Sequence, residues 1–335
     1  MVKNATRPKA APKGAKAPKA PKVQKVPLLP GVSAQEVKKG EALVQGVPGG
    51  KAPKVIESVA LMQAASLALR QRGATVAVVP TMGALHQGHL SLVEEARKRA
   101  DVVVLTIFVN PTQFGPGEDY EVYPRDKRGD LMKCQAAGVD VVFMPDAHEM
   151  YPEGFQTQVS LGAITQGACG RYRPGHFSGV ATVVLKLFHV VQPQVAIFGE
   201  KDWQQLQVIR RMVRDLNHPV EVVGGPIIRE PDGLAMSSRN LNLTPRDREQ
   251  ASVLSRAIAR AQEVYAQGVY DVAVINRAVI DEIKTARGVK LQYVEIVDAS
   301  SLTPLRDVDR PARVLIAAHL GNVRLIDNGP LGPEM

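Results

Sequence analysis

"VAVVPTMGALHQGHLSLVEEARKRADVVVLTIFVN", residues 76–110, is the stretch that decides the fold. Residues 76–80 form a short apolar run of the kind found in buried strands, and residues 101–109 repeat that pattern. Between them, residues 90–100 carry apolar side chains at helical spacing. A strand, a helix and a second strand without polar alternation predict parallel strands that are buried on both faces.

The same alternation of strands and helices extends on both sides of this stretch. Residues 56–73 predict a helix, and apolar strands separated by amphipathic helices continue to about residue 224. This order is typical of a doubly wound, Rossmann-like α/β domain, which we place at residues 56–227. The remainder, 228–335, has two predicted helices, a strand and a hairpin around residues 320–322, which predict a smaller α+β domain.

The basic charge of the chain belongs to its N-terminus. Residues 1–54 contain twelve of the 42 Lys and Arg residues but two of the 33 Asp and Glu residues, a net charge of +10. The whole chain has +9, so the remaining residues sum to −1. Residues 1–55 are rich in Lys, Pro and Ala, which predicts a disordered tail with at most a short helix near 34–45.

Two interpretations of this tail remain open. It is either a solvated segment without a specific function or an attachment to a polyanion such as nucleic acid. The near-neutral charge of the folded part argues against nucleic-acid binding by the core. The apolar runs are too short to span a bilayer, and the two cysteines, Cys134 and Cys169, are too few for a disulfide framework. We therefore expect a cytoplasmic protein with reduced, non-catalytic thiols.

Two histidines follow the first strand of the opening stretch at the point where a helix begins. The ends of helices offer free N–H groups to anions, and Gly83 and Gly88 allow the backbone to approach a ligand closely. His86 and His89 can donate hydrogen bonds to phosphate oxygens at that place. A zinc site is the rival interpretation, but the i, i+3 spacing and the absence of a nearby third ligand in the sequence do not favour it. Two incidental histidines on a turn are the third alternative.

Five blocks, in this order and spacing, carry a resemblance to a known family. They are "PTMGALHQGHLSLV" (80–93), "FVNPTQFGPGEDYEVYPR" (108–125), "RPGHFSGVATVVLKLF" (173–188), "FGEKDWQQL" (198–206) and "DGLAMSSRN" (232–240). The chain resembles the pantothenate synthetase (pantoate–β-alanine ligase) family, within the nucleotidyltransferases that share a His-x-Gly-His motif. The resemblance covers residues 56–328.

The resemblance implies a function, partners and cofactors. The reaction would be the ATP-dependent condensation of pantoate with β-alanine through pantoyl adenylate, giving pantothenate, AMP and pyrophosphate, a step towards coenzyme A. Mg²⁺ would accompany ATP, no resident metal is implied, and the protein would be a homodimer. The alternative is another nucleotidyltransferase of this superfamily that acts on a phosphorylated acceptor.

The resemblance also implies residue roles. The catalytic residues would be His89, His86, Lys201 and Arg239, with His89 in the position that the family treats as a proton donor. The residues that would bind ATP are Met82, Gly83, Ala84, Leu85, His86, Gln87, Gly88, His89, Gly199, Glu200, Lys201, Asp202, Ile228, Met236, Ser237, Ser238 and Arg239. Those that would bind pantoate and β-alanine are Gln113, Gln205, Asn110 and Tyr123. Ala235 replaces the first Lys of the synthetase Lys-Met-Ser-Lys-Ser loop, and we expect Lys201 to supply that charge.

Each block also has a plainer explanation when it is taken alone. "NPTQFG" is compatible with an ordinary Asn-Pro turn, "GEKDW" with a helix start, and "SSRN" with a polar loop. The glycine-rich stretch around Arg173 and His176 predicts a flexible cover over the site. The positions of the first two segments at the ends of predicted strands, together with the agreement of the five blocks, favour a binding site.

Overall fold

The computed structural model describes residues 31–49 and 52–333. The strands are β1 Lys54–Ile56, β2 Val76–Thr81, β3 Val102–Ile107, β4 Val141–Phe143, β5 Val195–Gly199, β6 Glu221–Gly225, β7 Val289–Asp298, β8 Ala312–Leu320 and β9 Val323–Leu331. The helices are α1 Ala34–Leu43, α2 Val59–Gln71, α3 Gln87–Arg97, α4 Lys127–Ala136, α5 Ala147–Met150, α6 Ala168–Tyr172, α7 His176–Val191, α8 Trp203–Asp215, α9 Pro245–Ala251, α10 Val253–Ala266 and α11 Val272–Ile283.

Parallel strands form the larger of the two sheets found in the described residues. Their order is β1-β4-β3-β2-β5-β6, and every neighbouring pair is parallel. The chain runs from β2 outwards to β4 and then returns to add β5 and β6 on the other side of β2. The strand order therefore reverses between β2 and β5, and ligands of open α/β sheets bind at the carboxyl ends of the strands at such a point.

Alternate residues of the central strands face opposite layers of helices. In β2, Val76 and Val78 pack in one core with α2, α7 and α8, whereas Ala77 and Val79 pack in another with α3 and α4. All four side chains are fully buried. This two-sided burial is the reason that the strands are continuous apolar runs, and it confirms the predicted doubly wound α/β architecture.

The smaller sheet is antiparallel and carries helices α10 and α11. Its order is β7-β8-β9, with β8 and β9 joined across Gly321 and Asn322, where the predicted hairpin lies. Gly321 has a φ of 56°, a left-handed conformation that glycine adopts without strain. A separate apolar core fills the space between this sheet and its helices. The C-terminal α+β fold is confirmed, and its predicted boundary near residue 228 stays a prediction.

The C-terminal part of the predicted tail, 1–55, is folded in the structure, and the short helix expected near residues 34–45 is present in it. Residues 34–43 form α1, which is opened by a capping box between Ser33 and Glu36, and residues 54–56 form an edge strand paired with β4. Val44 is fully buried in the main core, and Arg72 donates a 2.9 Å hydrogen bond to its carbonyl. Residues 1–30 lie outside the described residues. Within the described ranges, none of the helices has the length and apolar character needed to cross a membrane.

Candidate active site

A cavity of about 210 Å³ lies where the carboxyl ends of β2, β3 and β5 meet the segment that follows β6. It adjoins a second cavity of about 600 Å³, which reaches towards the C-terminal sheet. The predicted residues on the wall of the first cavity are Met82, His86, Gly88, His89, Asn110, Gln113, Tyr123, Gly199, Lys201, Asp202, Gln205, Ile228, Met236, Ser237, Ser238 and Arg239. The structure thus brings together residues that are more than 150 positions apart in the sequence.

The two histidines are held by the first turn of α3. His86 is the residue before the helix, and its Nδ1 accepts the Gly88 N–H at 3.2 Å. The Nδ1 of His89 accepts the His86 N–H at 3.3 Å. Because each Nδ1 accepts a hydrogen bond, the hydrogen of each neutral ring resides on Nε2. The pair therefore offers two N–H donors, with ring centroids 4.1 Å apart.

Both histidines are uncharged at neutral pH. Burial, with a contribution from the nearby Lys201 charge, lowers the pKa of His86 to about 4. Burial, followed by the neighbouring His86 and Lys201, lowers the pKa of His89 to about 3. A neutral imidazole donates a hydrogen bond but has no acidic proton to spare near pH 7. The pair is therefore suited to stabilising oxygen charge by hydrogen bonding.

The loop before the histidines has a structural role that the sequence did not reveal. Gly83 and Ala84 adopt left-handed conformations, with φ values of 82° and 49°. The Asp130 carboxylate accepts the N–H groups of Ala84 and Leu85 at 2.8 and 2.7 Å. Lys133 donates to the Leu85 carbonyl at 2.7 Å. These backbone groups are already satisfied, so they are not available to a ligand.

Five predicted ATP-binding residues do not line either cavity: Gly83, Ala84, Leu85, Gln87 and Glu200. The first three form the anchored loop, and Gln87 is exposed on the first turn of α3. The Glu200 carboxylate lies 3.5 Å from the Arg313 guanidinium, on the side of the C-terminal sheet. These five positions do not lie on the wall of either cavity, and their assignment to ATP binding stays a prediction.

The Ser-Ser-Arg segment crosses the cavity from the opposite side. The Ser238 hydroxyl donates to the Ala84 carbonyl at 3.1 Å, which ties this segment to the histidine loop. The Arg239 guanidinium is bound by Asp119, with Nε to Oδ2 at 2.6 Å and Nη2 to Oδ1 at 2.9 Å. It also lies over the Tyr123 ring, 5.5 Å from its centroid. Arg239 is therefore held in one orientation at the cavity wall.

Amides and a phenol form the wall beyond β3. Asn110 donates to the Gln113 side-chain oxygen at 3.1 Å and accepts the Tyr151 hydroxyl at 2.7 Å. The Gln113 amide nitrogen is 3.2 Å from the Met82 sulfur. Asn110 is almost fully buried, so its position is fixed by these bonds. This wall offers uncharged donors and acceptors suited to a carboxylate and a hydroxyl.

The segment after β5 supplies a cation to both cavities. Lys201 and Asp202 line them together, and the Lys201 Nζ is 3.8 Å from the Asp202 carboxylate. Gln205, on the first turn of α8, also lines both. The Asn328 amide donates to the Lys201 carbonyl at 2.8 Å, so the C-terminal sheet supports this segment.

The flexible cover predicted around Arg173 and His176 is not what the structure contains. The stretch forms α6 and the start of α7, and Phe177 is buried. At Gly179, an added Cβ would lie 2.3 Å from the Thr112 carbonyl oxygen, so the backbones pack too closely for another residue. Arg173 pairs with Glu118, and His176 Nδ1 is 2.8 Å from the Gln113 carbonyl oxygen. This side of the site is a packed wall.

Sequence reasoning missed three acidic residues that organise the site: Glu118, Asp119 and Asp130. The first two lie inside a quoted block, and their place in a strand-end loop was the available signal. Asp130 looks like any charged residue of a surface helix. Both cysteines are buried, and burial together with the Asp130 charge raises the pKa of Cys134 to about 12. In the described ranges, no group of three or more His, Cys, Asp or Glu side chains is arranged to hold a metal ion.

Comparisons with known proteins show the family of this chain. The family model described as pantoate-beta-alanine ligase matches residues 54–330, beginning at the first residue of β1. The pantothenate synthetase of Myxococcus xanthus is 52% identical over 286 residues, which cover 84% of this chain and 98% of that protein. The crystal structure of pantothenate synthetase from Thermus thermophilus superposes with a TM-score of 0.79 at 50% identity, covering 83% of this chain and 99% of that one.

A third relative carries ligands. The pantoate-beta-alanine ligase of Francisella tularensis, solved in a complex with beta-gamma ATP and beta-alanine, superposes with a TM-score of 0.70 at 34% identity. It covers 83% of this chain and 97% of that one. The matches extend over nearly the whole of each relative, and the family model leaves residues 1–53 and 331–335 of this chain unmatched. The chain belongs to the pantoate–β-alanine ligase family.

Proposed function

We propose that this protein uses ATP to join pantoate to β-alanine, releasing pantothenate, AMP and pyrophosphate. Family membership supports the overall reaction. The observation that carries the assignment to this cavity is the convergence of two neutral imidazole donors, Lys201 and Arg239 at the point where the strand order reverses. A polyanion with many oxygens is the ligand that such a set of donors and cations suits.

In the first step, a carboxylate oxygen of pantoate attacks the α-phosphorus of ATP, and the bond from that phosphorus to pyrophosphate breaks. No proton has to move in this step. His86 and His89 donate hydrogen bonds to the phosphate oxygens as their negative charge redistributes, and their low pKa values fit this role better than that of an acid. Lys201 and Arg239 stabilise the departing pyrophosphate.

In the second step, the neutral amine of β-alanine attacks the carbonyl carbon of pantoyl adenylate, the carbon–oxygen bond to AMP breaks, and the proton that the amine loses passes to the AMP phosphate or to water. Gln113 and Gln205 lie on the wall that would hold pantoate in both steps, with Asn110 and Tyr123 beside them. The fixed amides orient the acid so that the same carbonyl faces first the phosphate and then the amine. Arg173 also lines this wall, but its guanidinium is already bonded to Glu118, to His176 Nε2 and to the Gln113 carbonyl oxygen.

Mg²⁺ belongs to the nucleotide in this proposal. The described residues contain no cluster of three or more metal-ligating side chains, so the ion would arrive bound to the triphosphate oxygens. Asp202 faces the cavity and is the acidic side chain in position to bind a water of such an ion or a ribose hydroxyl. When bound, Mg²⁺ neutralises the charge of the pyrophosphate that leaves.

Incubation with ATP, pantoate and β-alanine tests the proposal. AMP should form in a one-to-one ratio with pantothenate, and omission of either acid should abolish steady-state turnover. The alternative is a nucleotidyltransferase that leaves the nucleotidyl group on a phosphorylated acceptor. The amide-lined wall around Gln113 does not favour such an acceptor, which would need further unpaired cations. Release of pyrophosphate without AMP, in the presence of a phosphorylated acceptor, would establish that alternative.

Two further proposals concern assembly and the N-terminus. We infer a homodimer, as the family resemblance implies, which sedimentation equilibrium would measure. We also propose that residues 1–30 have no part in catalysis, whether they are simply solvated or bind a polyanion. A chain that begins at residue 31 should keep full activity. The salt-dependent retention of this shortened chain on immobilised nucleic acid is then compared with that of the full chain, and weaker retention of the shortened chain would show that the tail binds a polyanion.

A further inference from the structure

Two consecutive acidic residues bind the two arginines of the site. Glu118 and Asp119 lie on the loop between β3 and α4. Glu118 accepts the Arg173 Nε at 2.7 Å, and Asp119 accepts the Arg239 Nε and Nη2 at 2.6 and 2.9 Å. One loop therefore connects the wall formed by α6 and α7 with the Ser-Ser-Arg segment on the other side of the cavity.

The hydrogen bonds to Asp119 leave part of the Arg239 guanidinium, the edge formed by Nη1 and Nη2, able to bind a ligand. A guanidinium has five N–H groups, and Asp119 occupies the side formed by Nε and one N–H of Nη2. Among the described residues, no further side-chain hydrogen bond of Arg239 is formed, so three N–H groups remain, on Nη1 and Nη2. Those two nitrogens form the fork that binds two oxygens of a phosphate side by side.

The surroundings of this ion pair favour a fixed geometry. The side chains of Arg239 and Asp119 are 25% and 29% exposed, and Tyr123 lies under the guanidinium. Burial alone would raise the pKa of Asp119, but the hydrogen bonds and charge of Arg239 outweigh it, and the pKa lies below its ordinary value. A free arginine side chain would lose rotamer entropy when it became ordered on a ligand. Here that ordering precedes binding.

We propose that Asp119 is a positioning residue, which holds the Arg239 guanidinium so that its outer fork faces the phosphates of the nucleotide and of pyrophosphate. The inference rests on the proposed function for the identity of the ligand. Asp119 acts through Arg239 and does not touch the ligand itself. Its negative charge also leaves the ion pair close to neutral, so the fork recognises the geometry of phosphate oxygens and adds little net attraction for anions in general.

A double-mutant cycle tests this directly. The variants are Asp119→Asn, Arg239→Gln and the double variant, and the readout is the dissociation constant of magnesium pyrophosphate measured by calorimetry, which requires no turnover. Asp119→Asn should weaken binding on the order of tenfold in the wild-type background. The same change should have less than about a twofold effect when Arg239 is already Gln, because no fork remains to be positioned.

Glu282→Gln is the matched control. It removes a 3.0 Å contact between a carboxylate and Arg256 on helices remote from the cavity and should leave pyrophosphate binding unchanged. Asp119→Glu, which keeps the carboxylate, should recover part of the lost affinity. Asp119→Ser is made alongside Asp119→Asn. The double-mutant cycle is calculated with whichever of these two variants unfolds at the same temperature as the wild type.

Three outcomes would overturn the proposal. Equal losses in both backgrounds would make Asp119 a general structural residue. Tighter pyrophosphate binding by Asp119→Asn would mean that the carboxylate competes with phosphate for Arg239. Failure of both Asp119 variants to fold would make it a folding residue. Failure of the ligase reaction itself would appear separately, as wild-type protein that binds magnesium pyrophosphate but forms no AMP with ATP, pantoate and β-alanine.

Discussion

Replacement of His89 by alanine is the sharpest test of the histidine pair. His89 contributes one Nε2–H donor to the cavity, and its Nδ1 accepts the His86 N–H at 3.3 Å. Loss of a preorganised donor to developing oxygen charge costs about 3 kcal/mol, a factor of roughly 10²–10³ in rate. Loss of the contact at the start of α3 costs about 1 kcal/mol of stability. The rate should therefore fall far more than the folded population does.

The assay is a single turnover with saturating ATP and pantoate and no β-alanine, in which rapid quenching measures pyrophosphate. This isolates adenylate formation from the second step. His148→Ala is the matched control, because His148 is exposed and lines neither cavity of the site. The donor role would be refuted if His89→Ala formed the adenylate within about threefold of the wild-type rate but had a lower free energy of unfolding. His89 would then serve only to stabilise the start of α3.

Three further predictions concern the neighbouring groups. Asp130→Asn should destabilise the fold by about 2 kcal/mol and slow adenylate formation. The neutral amide has one oxygen and no negative charge, so it cannot accept both loop N–H groups as the carboxylate does. An unchanged midpoint of urea denaturation would contradict this prediction. Gln113→Ala should raise the Michaelis constant for pantoate more than that for ATP, and an unchanged constant and turnover would remove Gln113 from the site. Burial lowers the pKa of His86 and His176 to about 4 and of His89 to about 3, below the 6.5 of an exposed imidazole. These histidines therefore bind protons in the unfolded chain before they do so in the folded protein as the pH falls. The free energy of unfolding should decrease between pH 6 and 4 by up to about 1.4 kcal/mol per pH unit for each histidine. A constant free energy of unfolding in urea titrations over that pH range would refute the lowered pKa values.

The parallel sheet was predictable because its signal is local. Apolar runs such as 102–107 and helical periodicity are properties of a few consecutive residues, and both follow from burial on two faces. β1 was not predicted because it has only three residues, follows a Lys- and Pro-rich segment and shows no periodicity. The burial of Val44 could not be predicted either, because it depends on contact with the main core and not on the neighbouring residues in the chain.

The ligand-facing residues were more predictable than their supports. His86 and His89 stand in a short motif at the end of β2, and Arg239 stands in a short motif on the segment that follows β6. Asp130 and Asp119 bind their partners across 45 and 120 positions, and nothing in the sequence around them distinguishes a buried carboxylate from a solvated one. The motif likewise marks the loop that contains Gly83 and Leu85 but does not indicate which of its N–H groups are already bonded, so the role of these two residues in ligand binding stays a prediction.

Transfer of an isotopic label tests the central claim, that the pantoate carboxylate attacks the α-phosphorus of ATP. Pantoate labelled with ¹⁸O in its carboxylate is turned over with ATP and β-alanine, and the products are analysed by mass spectrometry. The account predicts one ¹⁸O atom in the phosphate of AMP and one in the amide carbonyl of pantothenate. Unlabelled AMP, with ¹⁸O in pyrophosphate or in inorganic phosphate, would contradict it.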